Sequence, residues 1–189
     1  MTCTAPPPSL AGDRTLVSAL IEHRAHEPAC DPEHDVLSLI GTIGELSCTV
    51  SASDAGSGRW QLTGTDLHRV LITVADLAAH YGVPAYEGDV WPDGTAVGGD
   101  GVHLHLAEAS PHRLLVEVIE AVGWVAEWVL DPDGHHTLCS GTDRHGRDRA
   151  WLAAVPVTEL LVRTWCLADR LGVRETLRDL IRQDLASQL

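Results

Sequence analysis

The sequence predicts an all-α protein built from two tandem helix-pair units that share one bundle core. Apolar residues recur at three- and four-residue steps through most of the chain, a spacing that lines one face of a helix. Asp31-Pro32 and Ser110-Pro111 are both typical helix starts, because Pro suits the first helical position. These signs favour helices in both halves of the chain.

The two halves also repeat a set of landmarks in the same order. Residues 40–44 and 119–123 share an Ile-x-x-x-Gly spacing, and residues 78–83 and 168–173 share Ala-x-x-x-Gly-Val. A helix pair that cannot cover its apolar stripe alone can do so against its own copy. The repeat therefore predicts a duplicated unit, and chance similarity between two amphipathic helix pairs is the alternative.

The first unit spans residues 13–85 and follows a flexible tail at 1–12. Asp13 can cap its first helix, and a Gly/Ser turn at 53–58 separates its second helix from its third. Gly82 favours the left-handed conformation that ends a helix. The predicted helices begin at Asp13, at Pro32, and at Thr65 or Asp66. The second of them carries a stripe of inward residues, namely Val36, Leu39, Ile40, Ile43 and Leu46.

A Gly-rich connector, residues 86–108, leads to the second unit at 109–189. The alternation at 102–106 is typical of a strand, so the connector can hold a small hairpin. Beyond it, helices are predicted from Pro111 to about Leu130, from Pro156 to Gly172 and from Arg174 to Leu189. The inward stripe of the first of these is Leu114, Leu115, Val118, Val122, Val125 and Val129.

The composition is acidic, with a net charge of −14 on 189 residues. This charge argues against a nucleic-acid partner, because phosphate binding needs a basic stripe. The sequence has no signal-peptide pattern and no membrane-length apolar run, so we expect a cytoplasmic protein with no membrane partner. The five cysteines form no C-x-x-C pair, which argues against a zinc ribbon. The partners that stay open are a small-molecule ligand, such as a nucleotide, and a second copy in a homodimer.

Carboxylates recur on the predicted inner helices. Glu117 and Glu120 are three residues apart on one helix face, and Glu159 can face them from the next helix. Neighbouring carboxylates repel unless they are solvated or share a cation, and Mg²⁺ prefers oxygen ligands. The sequence thus predicts Glu117, Glu120 and Glu159 as Mg²⁺ ligands, with a solvated acidic face as the alternative. Glu45 and Asp66 are the corresponding candidates in the first unit.

This arrangement resembles the all-α nucleoside triphosphate pyrophosphohydrolases, the MazG and dimeric dUTPase superfamily. That family pairs E-x-x-E on one helix with E-x-x-D on the next, and the resemblance covers residues 15–85 and, more weakly, 110–185. It implies acidic residues that hold Mg²⁺ on a nucleoside triphosphate while water attacks between the α- and β-phosphates. It also implies catalytic roles for Glu45 and Asp66.

The family motif is incomplete in both units. Its four positions fall on Thr42, Glu45, Asp66 and Arg69 in the first unit, and on Ala121, Trp124, Pro156 and Glu159 in the second. A shifted register assigns Glu117, Glu120 and Glu159 instead. Arg69 would place a cation where the family holds its metal, so the resemblance is to a degenerate member.

Histidine and tryptophan residues add further candidates. His103 and His105 share one face of the strand-like segment, and His135 and His136 lie together in a loop. Either pair can bind a transition metal, and exposed loop histidines are the alternative. Trp124 and Trp128, one helical turn apart, can bind a substrate by stacking on its base or can fill the core.

Three functions therefore stay open. The first is a degenerate MazG-like protein that binds, and hydrolyses with Mg²⁺, a nucleoside triphosphate or related polyphosphate. The second is a non-catalytic ligand-binding or protein-interaction module on the same fold. The third is a metal-independent enzyme in which a carboxylate and a His perform acid–base chemistry on an organic small molecule.

Overall fold

The computed structural model describes residues 11–26, 31–52, 60–81, 109–130 and 149–187. Within these ranges the chain is helical and contains no strand, which confirms the predicted all-α class. The connector at 86–108 with its predicted hairpin, both histidine pairs and Gly82 lie outside the described residues. The helices are α1 (Ala11–Arg24), α2 (Pro32–Ala52), α3 (Trp60–His80), α4 (Pro111–Leu130), α5 (Arg149–Arg170) and α6 (Arg174–Ala186).

Four helices form a ring around one core. α2 packs against α3 and α4 packs against α5, and the two pairs meet through contacts of α2 with α4 and of α3 with α5. α1 and α6 contact each other and both pack on α3. The buried apolar side chains form one continuous cluster, so both helix pairs share a core. No helix in the described ranges is long and apolar enough to cross a membrane.

The predicted inward stripes are buried with one exception. All six predicted residues of α4 lie in the core, and so do Val36, Leu39, Ile43 and Leu46 of α2. Ile40 is instead 45% exposed, so its predicted burial is wrong. At 3.6 residues per turn it lies about 100° around the helix from Leu39, at the edge of the buried stripe.

Both helix starts that contain proline are capped by the residue before the proline. Asp31 Oδ1 accepts a hydrogen bond from the Glu33 N–H at 3.1 Å, and Ser110 Oγ accepts one from the Arg113 N–H at 3.2 Å. Each bond satisfies one of the N–H groups that a helix leaves unpaired in its first turn. The predicted starts of α2 and α4 are therefore confirmed.

The predicted start of α3 is wrong, because the helix begins at Trp60 rather than at Thr65 or Asp66. Its early turns pack against α6, and a Cβ on Gly64 would lie only 3.2 Å from Thr176 Cγ2. This close approach of two helices distant in sequence fixes the extra turn. Local capping preferences carry no information about such a contact.

The predicted start of α5 is also wrong, because the helix begins at Arg149 and contains Pro156. Proline in a helix interior removes one backbone hydrogen bond and costs about 3 kcal/mol. The preceding Leu152 and Ala153 are strong helix formers, and they continue the helix on the N-terminal side of the proline.

α5 ends in a Schellman motif centred on Gly172. This residue has a φ of +70°, the Val173 N–H donates to the Ala168 carbonyl at 2.9 Å, and the Gly172 N–H donates to the Asp169 carbonyl at 3.0 Å. Val173 is buried after the turn, so the motif also fixes where α6 leaves α5.

Replacing Gly172 with Ala should lower the free energy of unfolding by about 1 kcal/mol, because a Cβ disfavours a positive φ. Apart from its chain neighbours, no described residue has an atom within 4 Å of the added Cβ, so the loss would come from the backbone. Gly172→Asn should lose less, since Asn tolerates the left-handed region. Urea denaturation of the two variants measures the difference, and equal stability of the Ala variant and the parent protein would contradict this role.

Candidate functional site

The three glutamates predicted as metal ligands converge on the guanidinium of Arg163. Its Nη1 lies 3.2 Å from Glu117 Oε2 and 3.3 Å from Glu120 Oε2, and its Nε donates to Glu159 Oε2 at 3.2 Å. Nη1 also donates to the backbone carbonyl of Glu117 at 2.9 Å. The Arg163 and Glu117 side chains are 9% and 6% exposed, so their ion pair is shielded from water, whereas the Glu120 side chain is 51% exposed. We call these residues, with Arg113, the Arg163 cluster.

Helix geometry accounts for the convergence. Glu159 and Arg163 are one turn apart on α5, and Glu117 and Glu120 are one turn apart on the facing surface of α4. One turn earlier on α4, Arg113 Nη2 lies 2.5 Å from Glu117 Oε1. Glu117 is thereby held between two guanidinium groups, and the cluster joins α4 to α5.

The arginine changes what the carboxylates can do. Mg²⁺ binds oxygen at about 2.0–2.1 Å, so an ion shared by Glu117, Glu120 and Glu159 would have to displace the Arg163 guanidinium. No three His, Cys, Asp or Glu side chains in the described ranges are arranged to hold a metal ion. As arranged, the three carboxylates do not fit a Mg²⁺ site, because the cation that they share is the guanidinium group of Arg163.

The candidates of the first unit also meet at an arginine. Arg69 Nη1 lies 3.5 Å from Glu45 Oε2 and 3.7 Å from Asp66 Oδ1. The Arg69 and Glu45 side chains are 58% and 68% exposed, so this group is weaker and more solvated than the Arg163 cluster. Within the described ranges no hydrogen bond or ion pair connects the two groups. Each unit thus brings its predicted carboxylates to an arginine of its own.

Asp66 is nevertheless an unusual carboxyl group. Burial raises its pKa above the ordinary value of 3.8, the Glu45 charge raises it further, and the Arg69 charge opposes both. Raised carboxyl pKa values are common among general acids, and they also occur at purely structural positions. The protonation of this predicted catalytic residue is thus tuned by its surroundings.

Of the two predicted stacking residues, Trp124 lies against the Arg163 cluster. The Arg163 Cζ is 4.9 Å from the centroid of its ring, a cation–π distance, and the residue is 41% exposed. One side of the indole therefore covers the cluster while the rest faces solvent. The Trp128 side chain lies outside the described part of the chain.

Arg163 itself was not predicted from the sequence. It lies inside the apolar run Leu160-Leu161-Val162 and Thr164-Trp165, where a charged side chain needs a partner. Its spacing of four residues from Glu159 is the signal that identifies that partner. Arginine is not a metal ligand, so the acidic spacing that predicts a metal site gives no indication of the arginine between the carboxylates.

Two further polar contacts were also not predicted. Arg24 at the end of α1 makes a two-pronged ion pair with Asp76 of α3, at 2.5 and 3.1 Å. Burial raises the pKa of the nearby Asp35, and the Asp76 charge adds to this effect. His68 Nε2 of α3 lies 2.8 Å from Asp184 Oδ2 of α6. This His–carboxylate pair contains the residue types that the acid–base hypothesis requires.

Cys166 shows no sign of a nucleophile. Burial raises the pKa of its thiol to about 11, the Asp169 charge adds to this, and the Arg174 charge opposes it. A thiol of that pKa is almost entirely protonated at neutral pH, and the thiolate is the reactive form. The residue therefore packs as a small apolar side chain.

Removing the charge of Arg163 should be far more damaging than removing that of Arg69. Arg163→Met leaves Glu117 buried with one partner fewer, at a cost of about 3 kcal/mol in unfolding free energy. The matched variant Arg69→Met, at an exposed pair, should cost less than about 1 kcal/mol. Chemical denaturation of both proteins tests the contrast, and similar small losses would contradict the burial argument.

The raised pKa of Asp66 predicts a specific pH dependence of stability. Because the folded state holds this proton more tightly than the unfolded state, stability falls as pH rises from 3.8 through the raised pKa. Asp66→Asn should therefore gain stability relative to the parent as pH rises through that window. In Glu45→Gln the same transition should move to lower pH, since one raising charge is gone. A difference between Asp66→Asn and the parent that is independent of pH would contradict the assignment.

The description of this site rests on its geometry alone. Comparisons of this chain with protein-family models, with curated proteins and with solved structures found no match.

Proposed function

We propose that this chain is a non-catalytic binding or interaction module on a MazG-like helical fold, in which arginine has taken the position of the metal ion. The observation that carries the proposal is the Arg163 guanidinium within 3.3 Å of Glu117, Glu120 and Glu159. A cation built into the chain satisfies these carboxylates without an ion from solution.

The energetic cost of restoring the metal supports this proposal. Mg²⁺ at the three glutamates requires Arg163 to leave a buried position where it makes three ion pairs, one carbonyl hydrogen bond and a cation–π contact. Removing one partner from a buried pair costs about 3–5 kcal/mol. Mg²⁺ also loses its bound water reluctantly, so replacing Arg163 with Mg²⁺ costs free energy both in the protein and at the ion.

The repetition of the arrangement in the first unit points the same way. There Arg69 lies between Glu45 and Asp66, on the helix that follows the Glu45 helix. Arg69 of α3 and Arg163 of α5 thus each contact carboxylates both on their own helix and on the preceding helix. Incomplete acidic motifs with a built-in cation are suited to holding helices together and unsuited to activating water.

A nucleotide is the first ligand to test, because the exposed part of the Trp124 ring can stack on a base. The hydrolytic reading predicts Mg²⁺-dependent release of pyrophosphate, and the acid–base reading predicts turnover that survives chelation and needs His68. The binding module instead predicts a nucleotide-dependent thermal shift or Trp fluorescence change without turnover.

The decisive experiment releases the carboxylates. The parent protein should show no Mg²⁺- or Mn²⁺-dependent thermal shift and no pyrophosphate release from nucleoside triphosphates. Arg163→Ala should be less stable than the parent and should regain stability with millimolar Mn²⁺, because three repelling carboxylates then share a cation. The control Arg163→Ala/Glu120→Gln lacks one ligand and should respond less.

Pyrophosphate release by the parent protein, lost in Glu117→Gln, would overturn the proposal. That assay gives its answer whether or not Arg163→Ala folds. Far-UV circular dichroism of each variant shows whether its thermal response is that of a folded protein.

A further inference from the structure

The large apolar side chains that remain exposed in the described ranges are confined to two helices. α2 and α4 carry all of them, and these two helices contact each other. Isolated exposed apolar residues are normal, whereas a concentration on neighbouring elements marks an interaction surface. The residues are Leu37, Ile40, Val116, Ile119, Trp124 and Leu130.

Helix geometry places most of them on one shared surface. On α2, Glu45 points to α3, so residues far around the helix from Glu45 face α4 instead. At about 100° per residue, Ile40 and Gly44 lie about 140° and 100° around α2 from Glu45. On α4, Glu117 points to α5, and Ile119 and Gly123 lie about 160° and 120° around the helix from it, on the side that faces α2. We define the α2–α4 face as Leu37, Ile40, Gly41, Gly44, Val116, Ile119 and Gly123.

The glycines of this face are not needed for packing among the described residues. Apart from their own neighbours and helix backbone, no described heavy atom lies within 4 Å of a Cβ built on Gly41, Gly44 or Gly123. Glycine weakens a helix interior relative to alanine. A helix from another molecule that packs closely on this surface would use the space that a side chain would fill.

The two stripes of the face match each other in sequence. Leu37 corresponds to Val116, Ile40 to Ile119 and Gly44 to Gly123, at one constant offset, whereas Gly41 corresponds to Glu120. A face made of two similar stripes can meet a second copy of itself about a two-fold axis, with each stripe of one copy on a stripe of the other. Two-fold dimers use such self-complementary surfaces.

Charge also permits a second copy at this place. Two chains of net charge −14 repel each other, but every residue of the α2–α4 face is uncharged. Two acidic residues next to the face pair with arginine within the chain, Glu45 with Arg69 and Glu120 with Arg163, whereas Glu33 is exposed one turn before Leu37. A copy therefore meets less repulsion at this surface than the net charge alone would give.

The size of the face sets what else must take part. Its residues occupy about 12 Å along each helix and about 20 Å across the pair, which is less than the ~800 Å² per partner of a standard interface, so the flanking turns of α2 and α4 would supply the rest of the contact. We propose that the α2–α4 face joins two copies of this chain in a homodimer. The inference does not depend on whether the Arg163 cluster binds a ligand.

The test is the mass of the protein in solution, measured by light scattering and by sedimentation between 1 and about 100 μM. The parent protein should have twice the mass of one chain. Ile40→Lys and Ile119→Lys should both be monomers, while the control Ser38→Lys, exposed on the polar side of α2, should remain a dimer.

Gly44→Ala gives an independent readout that preserves the fold. Alanine favours the helix of the monomer, yet its methyl group occupies the space that the second copy would use, so association should weaken at least about tenfold. A parent protein that is monomeric throughout the concentration range would overturn the proposal. A dimer that Ile40→Lys, Ile119→Lys and Gly44→Ala leave intact would also overturn it.

Discussion

The pairing of scarce arginines with abundant carboxylates is the constraint on which this fold depends. The chain has 13 arginines and no lysine against 27 acidic residues. Arg24, Arg69, Arg163 and Arg174 each contact an acid on another helix or just beyond a helix junction. The planar guanidinium can serve several carboxylates at once, as Arg163 does, which a single ammonium on lysine does less well. Ion pairing therefore connects helices that a repulsive net charge would otherwise separate.

The same pairing determines the character of the molecular surface. Where an arginine neutralises its acids, the neighbouring helix surface is free to be apolar, as on the side of α2 and α4 that faces away from the Arg69 and Arg163 groups. The Arg163 cluster and the exposed apolar surface are then both consequences of how arginines and carboxylates are distributed along α2 to α5. The cluster keeps carboxylates engaged inside the chain, and the surface beside it carries no charge of its own.

Much of this architecture follows from local sequence patterns. Helices, inward stripes and the capped starts at Asp31 and Ser110 are set by spacing and by side chains a few residues apart, so they can be predicted without the fold. The starts of α3 and α5 depend on the contact of Gly64 with Thr176 and on the tolerance of Pro156 inside a helix. These are tertiary effects, and local signals misplace them.

The candidate site shows the same division. The spacing of Glu117 and Glu120 predicts that both carboxylates share a helix face, and they do meet Glu159 at one point. The identity of the cation between them depends on Arg163, whose partners lie on a different helix 43 and 46 residues away in the sequence. Pairwise spacing identifies Glu159 as one partner of this arginine and gives no sign of the other two.

The contact between α1 and α6 has a consequence for how the chain acquires its structure. These helices come from opposite ends of the described sequence, yet both close over α3. α1 therefore lacks part of its packing until the residues of α6 have been synthesised. Such long-range closure slows folding and leaves apolar surface accessible during synthesis. Completion of this part of the core is thus a late event that waits for α6.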